Sequence, residues 1–312
     1  MKKKLLVLGI SGLLGSKLAK LANDFEVFGT YNHRDVKIEN SIVSKLNISN
    51  FEQIDKLFDD IRPDFVINTT ALHNVDYCEN NPNESFLINS KAVKTIQDNC
   101  TKIGSVFVHM STDYVFDGKQ KIPYIETDTT LPLSVYGKSK LEGESFASKN
   151  HCVIRPSVIY GWNPLELSDK PSSSGKSINF AIWLLTKLHK KENLKIVNDQ
   201  FTTCTLADSL AESVLKILKN PKSGVYHVSG LSCESRYDFS VKFAKEFGYD
   251  EKQIQQTDSS QFKQVAKRPL YSCLDCTKAI KEFDLNLNTT EDSLKIMRNQ
   301  VEIDAPHLLG TK

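Results

Sequence analysis

Features that would point to a membrane or a nucleic acid are missing from this chain of 312 residues. No apolar run approaches the roughly 20 residues that a membrane-spanning helix requires. The 40 basic and 38 acidic side chains nearly cancel, to a formal net charge of +2. This balance indicates neither a nucleic acid nor an anionic membrane as partner. With 40% hydrophobic residues and no internal repeats, the chain is expected to bury a large core.

A disulfide framework is also missing from the pattern of cysteines. The seven cysteines are Cys78, Cys100, Cys152, Cys204, Cys233, Cys273 and Cys276. Their number is odd and they are scattered through apolar or helical contexts, so we predict reduced cysteines and a cytoplasmic location. Cys273 and Cys276 form a lone CxxC motif without a second pair, which argues against a zinc site.

A glycine-rich turn follows the first predicted strand, the apolar run 5–8, and precedes a helical pattern. Strand, Gly-x-x-Gly-x-x-Gly and helix in this order are typical of dinucleotide binding. Glycines permit a tight turn, and the helix N-terminus offers free N–H groups to a pyrophosphate. The alternative is an ordinary βα turn. The predicted cofactor contacts here are Gly9, Ser11, Gly12, Leu13, Leu14 and Gly15.

The end of the second predicted strand bears on the choice of cofactor. NAD-binding sheets place an Asp or Glu there to hold the ribose 2′-hydroxyl, whereas this chain has Asn32 and Arg34. A guanidinium can pair with a 2′-phosphate, so NADP(H) is the predicted cofactor. NAD(H) stays open, because Asn32 or Asp35 could hold a bare ribose and Arg34 could be a surface residue. Further predicted cofactor contacts are Asn47, Ile48, Thr70, Ala71 and Leu72.

Tyr136 and Lys140 are four residues apart, and Thr112 lies 24 residues before Tyr136. Residues at this spacing share one face of a helix, so the hydroxyl and the ammonium can lie side by side. A nearby cation lowers the pKa of tyrosine from about 10, which suits a proton donor near neutral pH. Alone, such a pair is usually an ordinary helix surface. Beside the glycine-rich turn, it predicts Thr112, Tyr136 and Lys140 as catalytic residues, the latter two also as cofactor contacts.

Alternating strand-like and helix-like segments predict an α/β fold with a Rossmann-type, doubly wound parallel sheet. Strands are expected at 5–9, 25–31, 42–48, 64–70, 105–112, 152–159, 194–197 and 224–228, with helices near 13–22, 51–61, 84–102, 136–149, 176–191 and 206–219. We predict a dinucleotide-binding domain over 1–160, to which 200–222 returns, and a smaller C-terminal substrate-binding cap over 161–312. The segment 161–175 is the predicted linker.

Longer motifs carry a resemblance to a known family. They are Val-Ile-Asn-Thr-Thr-Ala at 66–71, Ser-Thr-Asp-Tyr-Val-Phe-Asp-Gly at 111–118, Tyr-Gly-Lys-Ser-Lys-Leu-Glu-Gly-Glu at 136–144, Asp-Gln-Phe at 199–201 and Arg-Pro-Leu-Tyr-Ser at 268–272. The chain resembles the extended short-chain dehydrogenase/reductase superfamily and, within it, the dTDP-4-dehydrorhamnose reductase family. The motif at 111–118 is specific to this family, whereas the glycines and the Tyr/Lys pair identify only the superfamily.

The resemblance implies reduction of a 4-keto group on a nucleotide-linked deoxysugar. Tyr136 would protonate the developing alkoxide, Lys140 would hold the nicotinamide ribose and tune Tyr136, and Thr112 would bind the carbonyl oxygen. Asn89 matches an asparagine that the superfamily places beneath the site. Arg268 is a candidate diphosphate ligand, or else part of a structural ion pair. The implied substrate contacts are Val75, Thr112, Asp113, Val158 and Arg268.

Departures from the family pattern narrow these expectations. Tyr114 stands where the 4,6-dehydratases of the superfamily have Glu, which disfavours dehydration. Val158 replaces a tryptophan that stacks on the sugar, so rhamnose specificity is open, and Trp162 is either its substitute or a core residue. Lys17 replaces an acid that holds magnesium in some bacterial members, so we predict no metal.

A second hypothesis is an NADP-binding regulatory protein. The regulatory subunit of methionine adenosyltransferase resembles the same family and binds a partner enzyme. The missing tryptophan favours this reading, whereas the Tyr136/Lys140 pair argues against it. The sequence does not determine the nucleotide, the sugar, the stereochemistry at C4 or the oligomeric state, and a homodimer stays open.

Overall fold

The computed structural model describes residues 2–147, 151–164 and 179–310, so most of the predicted linker 161–175 lies outside the described residues. A seven-stranded parallel sheet forms the centre, in the order β3-β2-β1-β4-β5-β6-β11. Its strands are β1 (Lys3–Leu8), β2 (Phe25–Tyr31), β3 (Ser41–Lys45), β4 (Phe65–Asn68), β5 (Val106–Met110), β6 (Cys152–Arg155) and β11 (Gly224–His227). The predicted doubly wound parallel sheet is thereby confirmed.

Helices cover both faces of this sheet. In the first half they are α1 (Leu13–Leu21), α2 (Phe51–Ile61), α3 (Val75–Asn80), α4 (Pro82–Phe86), α5 (Ala92–Ile103) and α6 (Val135–Ala147). Alternate residues of β1 face opposite ways: Leu5 and Val7 pack with α1, whereas Leu6 and Leu8 pack with α2 and α5. A strand buried on both faces must be apolar throughout, which explains the continuous hydrophobic run.

The second half contributes both to the sheet and to a separate cluster. Its helices are α7 (Phe180–His189), α8 (Ala207–Lys219), α9 (Arg236–Phe247), α10 (Thr277–Phe283) and α11 (Thr290–Asp304). Its short strand pairs combine β7 (Ile159–Tyr160) with β10 (Thr205–Leu206), β8 (Leu194–Val197) with β13 (Ile254–Thr257), and β9 (Phe201–Thr202) with β12 (Glu234–Ser235). α7, α9 and α11 form a second hydrophobic cluster, whereas α8 packs on α1.

More of the second half returns to the sheet than was predicted. The strand β11 pairs with β6 over Gly224–His227, beyond the predicted return segment 200–222. Tyr226 packs in the same cluster as α8, and α10 covers it through Phe283 at a ring-centroid distance of 4.8 Å. The division of the chain at residue 160 stays a prediction.

Several strands end earlier than predicted, and the reason is visible at β5. The expected strand 105–112 is regular only over Val106–Met110. Thr112 instead opens a short 3-10 turn at Asp113–Val115, where its hydroxyl accepts a hydrogen bond from the backbone N–H of Tyr114 at 3.2 Å. Beyond the strand the backbone N–H groups of Ser111 and Asp113 still donate to the carbonyl oxygens of Ile154 at 2.7 Å and Pro156 at 3.1 Å, and the turn at Asp113–Val115 ends this pairing.

The prediction of fully reduced cysteines is wrong at one pair. Cys233 and Cys273 form a disulfide across 40 residues. Their spacing carried no signal, because only the packing of the segment after Arg268 against β12 brings them together. The two cysteines of the CxxC motif therefore have different partners. Cys273 is in the disulfide, whereas Cys276 accepts a hydrogen bond from the backbone N–H of Ser229 at 3.3 Å.

Neither a membrane span nor a metal cluster is found within 2–147, 151–164 and 179–310. No helix there combines the length and apolar character needed to cross a bilayer. No group of three or more His, Cys, Asp or Glu side chains gathers there in a way that could hold a metal ion. Lys17 pairs with Asp208 of α8 at 2.8 Å.

Candidate active site

The glycine-rich turn lies between β1 and α1, where the order of the strands reverses. Gly9 has a φ of +89°, a left-handed conformation that favours glycine. A Cβ added at Gly15 would lie 2.2 Å from the carbonyl oxygen of Gly9, so α1 could not approach the turn with any larger residue. No side chain caps the helix at Gly12, and its first turn contains no acid. The free N–H groups and positive helix end therefore fit a pyrophosphate.

The other predicted cofactor contacts follow the carboxyl ends of neighbouring strands. Asn32 and Arg34 come after β2, Asn47 and Ile48 after β3, and Thr70, Ala71 and Leu72 after β4. This is the edge at which open α/β sheets bind ligands. Ile48 differs from the rest, because its side chain is part of the hydrophobic core and only its backbone can serve a cofactor.

Leu72 is held in place by Asn89, the asparagine that the resemblance placed beneath the site. Asn89 lies in a π-helical turn, Leu87–Lys91, between α4 and α5. Its Oδ1 accepts from the N–H of Leu72 at 2.8 Å, and its Nδ2 donates to the carbonyl oxygen of Leu72 at 3.0 Å and to Ser139 of α6 at 3.1 Å. π-helical turns of this kind are frequent at functional sites. Asn89 therefore joins the cofactor edge to α6.

The structure brings Thr112 and Tyr136 together. Thr112 is buried after β5, Tyr136 lies in the first turn of α6, and the Thr112 hydroxyl is close enough to Tyr136 to affect its pKa. The ring of Tyr114 packs edge-on against that of Tyr136, with centroids 5.9 Å apart. Two hydroxyl groups thus share one point at the carboxyl end of the sheet, where a carbonyl oxygen could accept from both.

Tyr136 and Lys140 do not act on each other as the sequence predicted. Burial raises the pKa of Tyr136 above its ordinary value, the neighbouring Thr112 hydroxyl opposes the rise, and Lys140 is not among the largest causes. The expected lowering by Lys140 is therefore wrong for this ligand-free chain. Lys140 shares the helix face but its Nζ turns towards β5, where it donates to the carbonyl oxygen of Met110 at 2.5 Å. Burial lowers the pKa of Lys140 to about 8.

Asp113, a predicted substrate contact, is committed to internal hydrogen bonds. Its Oδ2 accepts from the hydroxyls of Ser157 at 2.9 Å and Ser272 at 2.5 Å. Burial raises the pKa of this carboxyl, and these hydroxyl donors oppose the rise. Because Ser157 follows β6 and Ser272 comes from the second half of the chain, Asp113 holds the two halves together beside Thr112.

Val158 has an unusual backbone conformation. Its φ is +40°, which is a genuine outlier for a β-branched residue and occurs mainly where function requires it. Trp162 does not take the place of the missing stacking residue, because it is 2% exposed and its Nε1 donates to Asp304 at 2.7 Å. Trp162 is therefore not an aromatic substitute at Val158.

The predicted diphosphate ligand Arg268 already has a partner. It donates to Asp76 in α3 at 2.8 Å and to the carbonyl oxygen of Ala266 at 3.0 Å. Asp76 is 40% exposed, and Val75, the neighbouring predicted substrate contact, opens the same helix. Arg268 is thus oriented at the edge of the site by an acid that remains accessible to water.

Arg236 is a functional candidate that the sequence did not reveal. It opens α9, its guanidinium is 4.9 Å from the centre of the Phe180 ring, and its charge lowers the pKa of the Tyr114 hydroxyl. Within the described ranges it forms no ion pair with a carboxylate. No motif surrounds it beyond the capping box of Ser235 and Asp238, so only the fold brings its charge to the site.

The fold and this constellation define a class of protein. The glycine turn lies at the switch point of a doubly wound sheet, Thr112 follows the neighbouring strand β5, and Tyr136 and Lys140 lie on α6. This is the site of an NAD(P)H-dependent oxidoreductase of the extended short-chain dehydrogenase/reductase type.

Comparison with known proteins identifies the family. The model of the RmlD substrate binding domain family matches residues 3–303. The chain is 31% identical over 268 residues to dTDP-4-dehydrorhamnose reductase of Escherichia coli K12, covering 82% of this chain and 85% of that protein. The spore coat polysaccharide biosynthesis protein SpsK of Bacillus subtilis is 32% identical over 94% of this chain and 95% of its own length. The chain belongs to the dTDP-4-dehydrorhamnose reductase family.

Solved structures agree with this assignment. A dTDP-4-dehydrorhamnose reductase of Clostridium acetobutylicum is 29% identical, with a TM-score of 0.81 over 96% of this chain and 99% of that chain. A hypothetical dTDP-4-dehydrorhamnose reductase of Sulfolobus tokodaii is 31% identical, with a TM-score of 0.80 over 93% and 97%. The Bacillus anthracis reductase in complex with NADP has the same fold at 24% identity, with a TM-score of 0.84 over 96% and 100%.

Proposed function

We propose that this protein catalyses the NADPH-dependent reduction of a nucleotide-linked 4-keto-6-deoxysugar, as dTDP-4-dehydrorhamnose reductase or a close sugar-nucleotide 4-ketoreductase. The neighbouring hydroxyls of Thr112 and Tyr136 at the carboxyl end of the sheet carry this proposal. The names of the relatives leave the sugar open: one is a spore coat polysaccharide protein, and another, Agl14 of Haloferax volcanii, is a probable low-salt glycan biosynthesis reductase.

Thr112 and Tyr136 would act on the carbonyl oxygen of the substrate. When bound, the reduced nicotinamide supplies a hydride to the carbonyl carbon. Tyr136 then donates its proton to the oxygen, and its raised pKa keeps that proton in place until charge develops there. The Thr112 hydroxyl donates to Oδ1 of Asp113 at 3.2 Å and would turn this donor to the same substrate oxygen as a second hydrogen bond.

The predicted cofactor residues fit NADP(H). Arg34 follows β2, where an acid would otherwise select the bare ribose of NAD(H). The Bacillus anthracis reductase, which shares this fold, was solved with NADP. We propose NADP(H) as the preferred cofactor, with NAD(H) as the weaker one, bound by the domain over 1–160 and covered by the cap over 161–312.

Two arginines would hold the nucleotide diphosphate. Both Arg236 and Arg268 lower the pKa of the buried Tyr114, so both cations lie within electrostatic reach of one hydroxyl beside the site. Guanidinium groups bind phosphate oxygens with a rigid pair of donors. Arg268 is oriented by Asp76, whereas Arg236 has no carboxylate partner among the described residues. Arg236 is therefore the better placed to pair with an incoming dianion.

The regulatory hypothesis is not favoured. The three residues that reduction requires are present, and the relatives named above are reductases or biosynthetic proteins. A regulatory protein would have no need of the Thr112–Tyr136 pair of hydroxyls.

The test is a comparison of two matched variants. NADPH oxidation is measured with dTDP-4-keto-6-deoxy-L-lyxo-hexulose, and with its UDP, GDP and CDP counterparts, in the parent, Tyr136→Phe and Tyr160→Phe. Tyr160 is a fully buried tyrosine that packs in the second hydrophobic cluster, whereas Tyr136 is partly exposed. We expect Tyr136→Phe to reduce kcat by about two to four orders of magnitude and Tyr160→Phe to leave it within a few-fold. Equal rates in all three proteins would refute the mechanism.

A further inference from the structure

Beneath Lys140, the structure joins two polar side chains that the reaction described above does not use. Asn68 and His109 are register partners on the adjacent strands β4 and β5. Asn68 and His109 are both fully buried, and Lys140 reaches them from α6. Nδ2 of Asn68 lies 3.3 Å from Nδ1 of His109, and Nε2 of His109 lies 3.5 Å from Nζ of Lys140.

The orientation of the Asn68 amide is determined by its other partner. Its Oδ1 accepts from the backbone N–H of Thr70 at 3.0 Å and from the Thr70 hydroxyl at 2.5 Å. A backbone N–H can only donate, so the atom that faces it must be the oxygen. The NH₂ group of Asn68 therefore points at His109, and an amide flip is excluded.

This orientation in turn selects the tautomer of His109. Nδ1 of His109 faces the NH₂ group of Asn68 and must accept a hydrogen bond. Burial keeps the pKa of His109 well below its ordinary value, so the ring is neutral. A neutral imidazole has one N–H, which here must be on Nε2. The N–H of Nε2 then points at Nζ of Lys140.

An ammonium at Lys140 would place two donors against each other. An ammonium has three N–H groups and no lone pair, whereas an amine can accept from Nε2 of His109 while donating to Met110. The charged groups around Nζ do not reverse this preference. Glu144 on the same helix favours the ammonium, but its carboxylate is paired with Arg155 of β6 at 2.6 Å. No other charged side chain contributes to the shift at Lys140.

We propose that Asn68 and His109 favour the neutral amine of Lys140 over the ammonium before the cofactor binds, and that a neutral Lys140 takes up one proton from solvent when the cofactor binds. The first part of this proposal, the neutral amine, concerns the protein without cofactor. The second part, the proton uptake, rests on the proposed function. The lone pair of a neutral amine gains a partner from Nε2, whereas cofactor ribose oxygens are acceptors that favour the ammonium. Asn68 and His109 are thus positioning residues that act through Lys140.

The first experiment observes the tautomer directly, without cofactor or substrate. Long-range ¹H–¹⁵N spectra of the full chain labelled at histidine are recorded between pH 6 and 9, with the His109 signals identified by their loss in His109→Gln. We expect a proton on Nε2 and none on Nδ1 at pH 9, where Lys140 is above its lowered pKa of about 8. A proton on Nδ1, or on both nitrogens, at pH 9 would overturn the proposal.

The second experiment measures proton uptake when NADPH binds. Binding heats are compared at pH 9 in buffers of different ionisation enthalpy. At this pH the cofactor phosphates are fully ionised, so they do not contribute to the proton uptake. We expect an uptake close to one proton at pH 9 and a clearly smaller uptake at pH 7, because the pKa of Lys140 is lowered to about 8. NADPH binding without uptake at pH 9 would contradict the proposal even in an active enzyme.

Variants of Asn68 separate hydrogen bonding from charge. Asn68→Asp turns the facing group into an acceptor, which moves the His109 proton to Nδ1, leaves Nε2 to accept from an ammonium, and abolishes the uptake. Asn68→Leu removes the amide without adding charge and should also decrease the uptake. If the proton uptake is lost in Asn68→Asp but not in Asn68→Leu, the added charge and not the hydrogen bond is the cause of the loss, and the proposal is overturned.

His151→Gln is the matched control. His151 also packs edge-on against Phe107, with ring centroids 5.7 Å apart, but lies away from Lys140. The uptake should be unchanged in this variant, and an equal loss there would overturn the proposal. If uptake occurs while no ketosugar is reduced, the positioning role stands and the proposed reaction falls.

Discussion

Two cations buried beneath the same site differ in their partners. Arg155 and Lys140 are 3% and 1% exposed, and both lie near the carboxyl ends of the central strands. Arg155 donates from Nε at 2.9 Å and from Nη2 at 2.6 Å to the carboxylate of Glu144, which also accepts from Ser111. Lys140 has no carboxylate within ion-pair distance in the part of the chain that the structure describes. One cation is paired and the other is not.

The difference shows how burial affects the two kinds of side chain. A guanidinium stays charged under all physiological conditions, so its burial requires a counter-ion with matching geometry. A buried ammonium can instead lose its proton, and Lys140 does so near pH 8. Arg155 therefore suits a structural role beneath α6, whereas Lys140 suits a role in which protonation changes. The following predictions test this contrast.

The largest effect is expected from Lys140→Met. Activity should fall by about two to four orders of magnitude, whereas Lys138→Met, an exposed lysine of the same helix, should change it little. The folded-state pKa of Lys140 lies below its unfolded value of about 10.5, so the unfolded chain binds more protons above pH 8. The parent therefore gains stability as pH rises from 8 towards 10.5.

Denaturant unfolding checks the stability of the same variant. Lys140→Met lacks the buried cation, so it should be more stable than the parent at pH 7, and this advantage should narrow between pH 8 and pH 10. A variant less stable than the parent at pH 7 would show that Lys140 is as structural as Arg155.

Arg155→Met is expected to decrease stability, whereas Lys140→Met should increase it at pH 7. Removing the guanidinium leaves the carboxylate of Glu144 buried without its counter-ion, which costs about 3–5 kcal/mol of unfolding free energy. The double variant Glu144→Gln with Arg155→Met removes both charges and should recover a large part of that loss. Urea unfolding of the three proteins measures both quantities. A double variant as unstable as the single one would assign the loss to packing and not to the ion pair.

His227, which packs beside Arg155, should make the free energy of unfolding depend on pH below 6.5. Burial, assisted by Arg155, lowers its pKa to about 3 from an ordinary value of 6.5. Between these values the unfolded chain binds a proton that the folded chain does not, so stability falls as pH decreases from 6.5 to 3. This residue contributes up to about 1.4 kcal/mol per pH unit. Unfolding free energies at pH 7, 6 and 5 should show a flatter dependence in His227→Gln, and an unchanged slope would exclude this contribution.

The smallest effect is expected where an ion pair is exposed. Lys94 and Asp98 pair at 2.5 Å on the surface of α5, and both are more than half exposed. Water and salt screen such a pair, so Lys94→Met should cost no more than about 0.5 kcal/mol. Urea unfolding of this variant serves as the reference for Arg155→Met. A loss similar to that of Arg155→Met would mean that burial does not distinguish the two pairs.

Local patterns in the sequence predicted the parts of the site that one strand and one helix form. The run 5–8, the glycines and the Tyr136–Lys140 spacing each depend on neighbours within a few residues, and the doubly wound sheet is as predicted. The spacing did not reveal that Lys140 turns to Met110, because that choice depends on β5, which pairs from a different part of the chain. Arg236 and the Cys233–Cys273 disulfide were missed for the same reason.

The amino-acid sequence by itself therefore determined the sheet, the turn that fits a pyrophosphate and the residue types needed for reduction, since periodicity and glycine content act over short distances. Only the tertiary structure decided which charges are paired, which tautomer His109 adopts and which proton Lys140 can lose. Those properties depend on hydrogen bonds between β4, β5 and α6, segments up to about 70 residues apart, and on the exclusion of water that their packing produces.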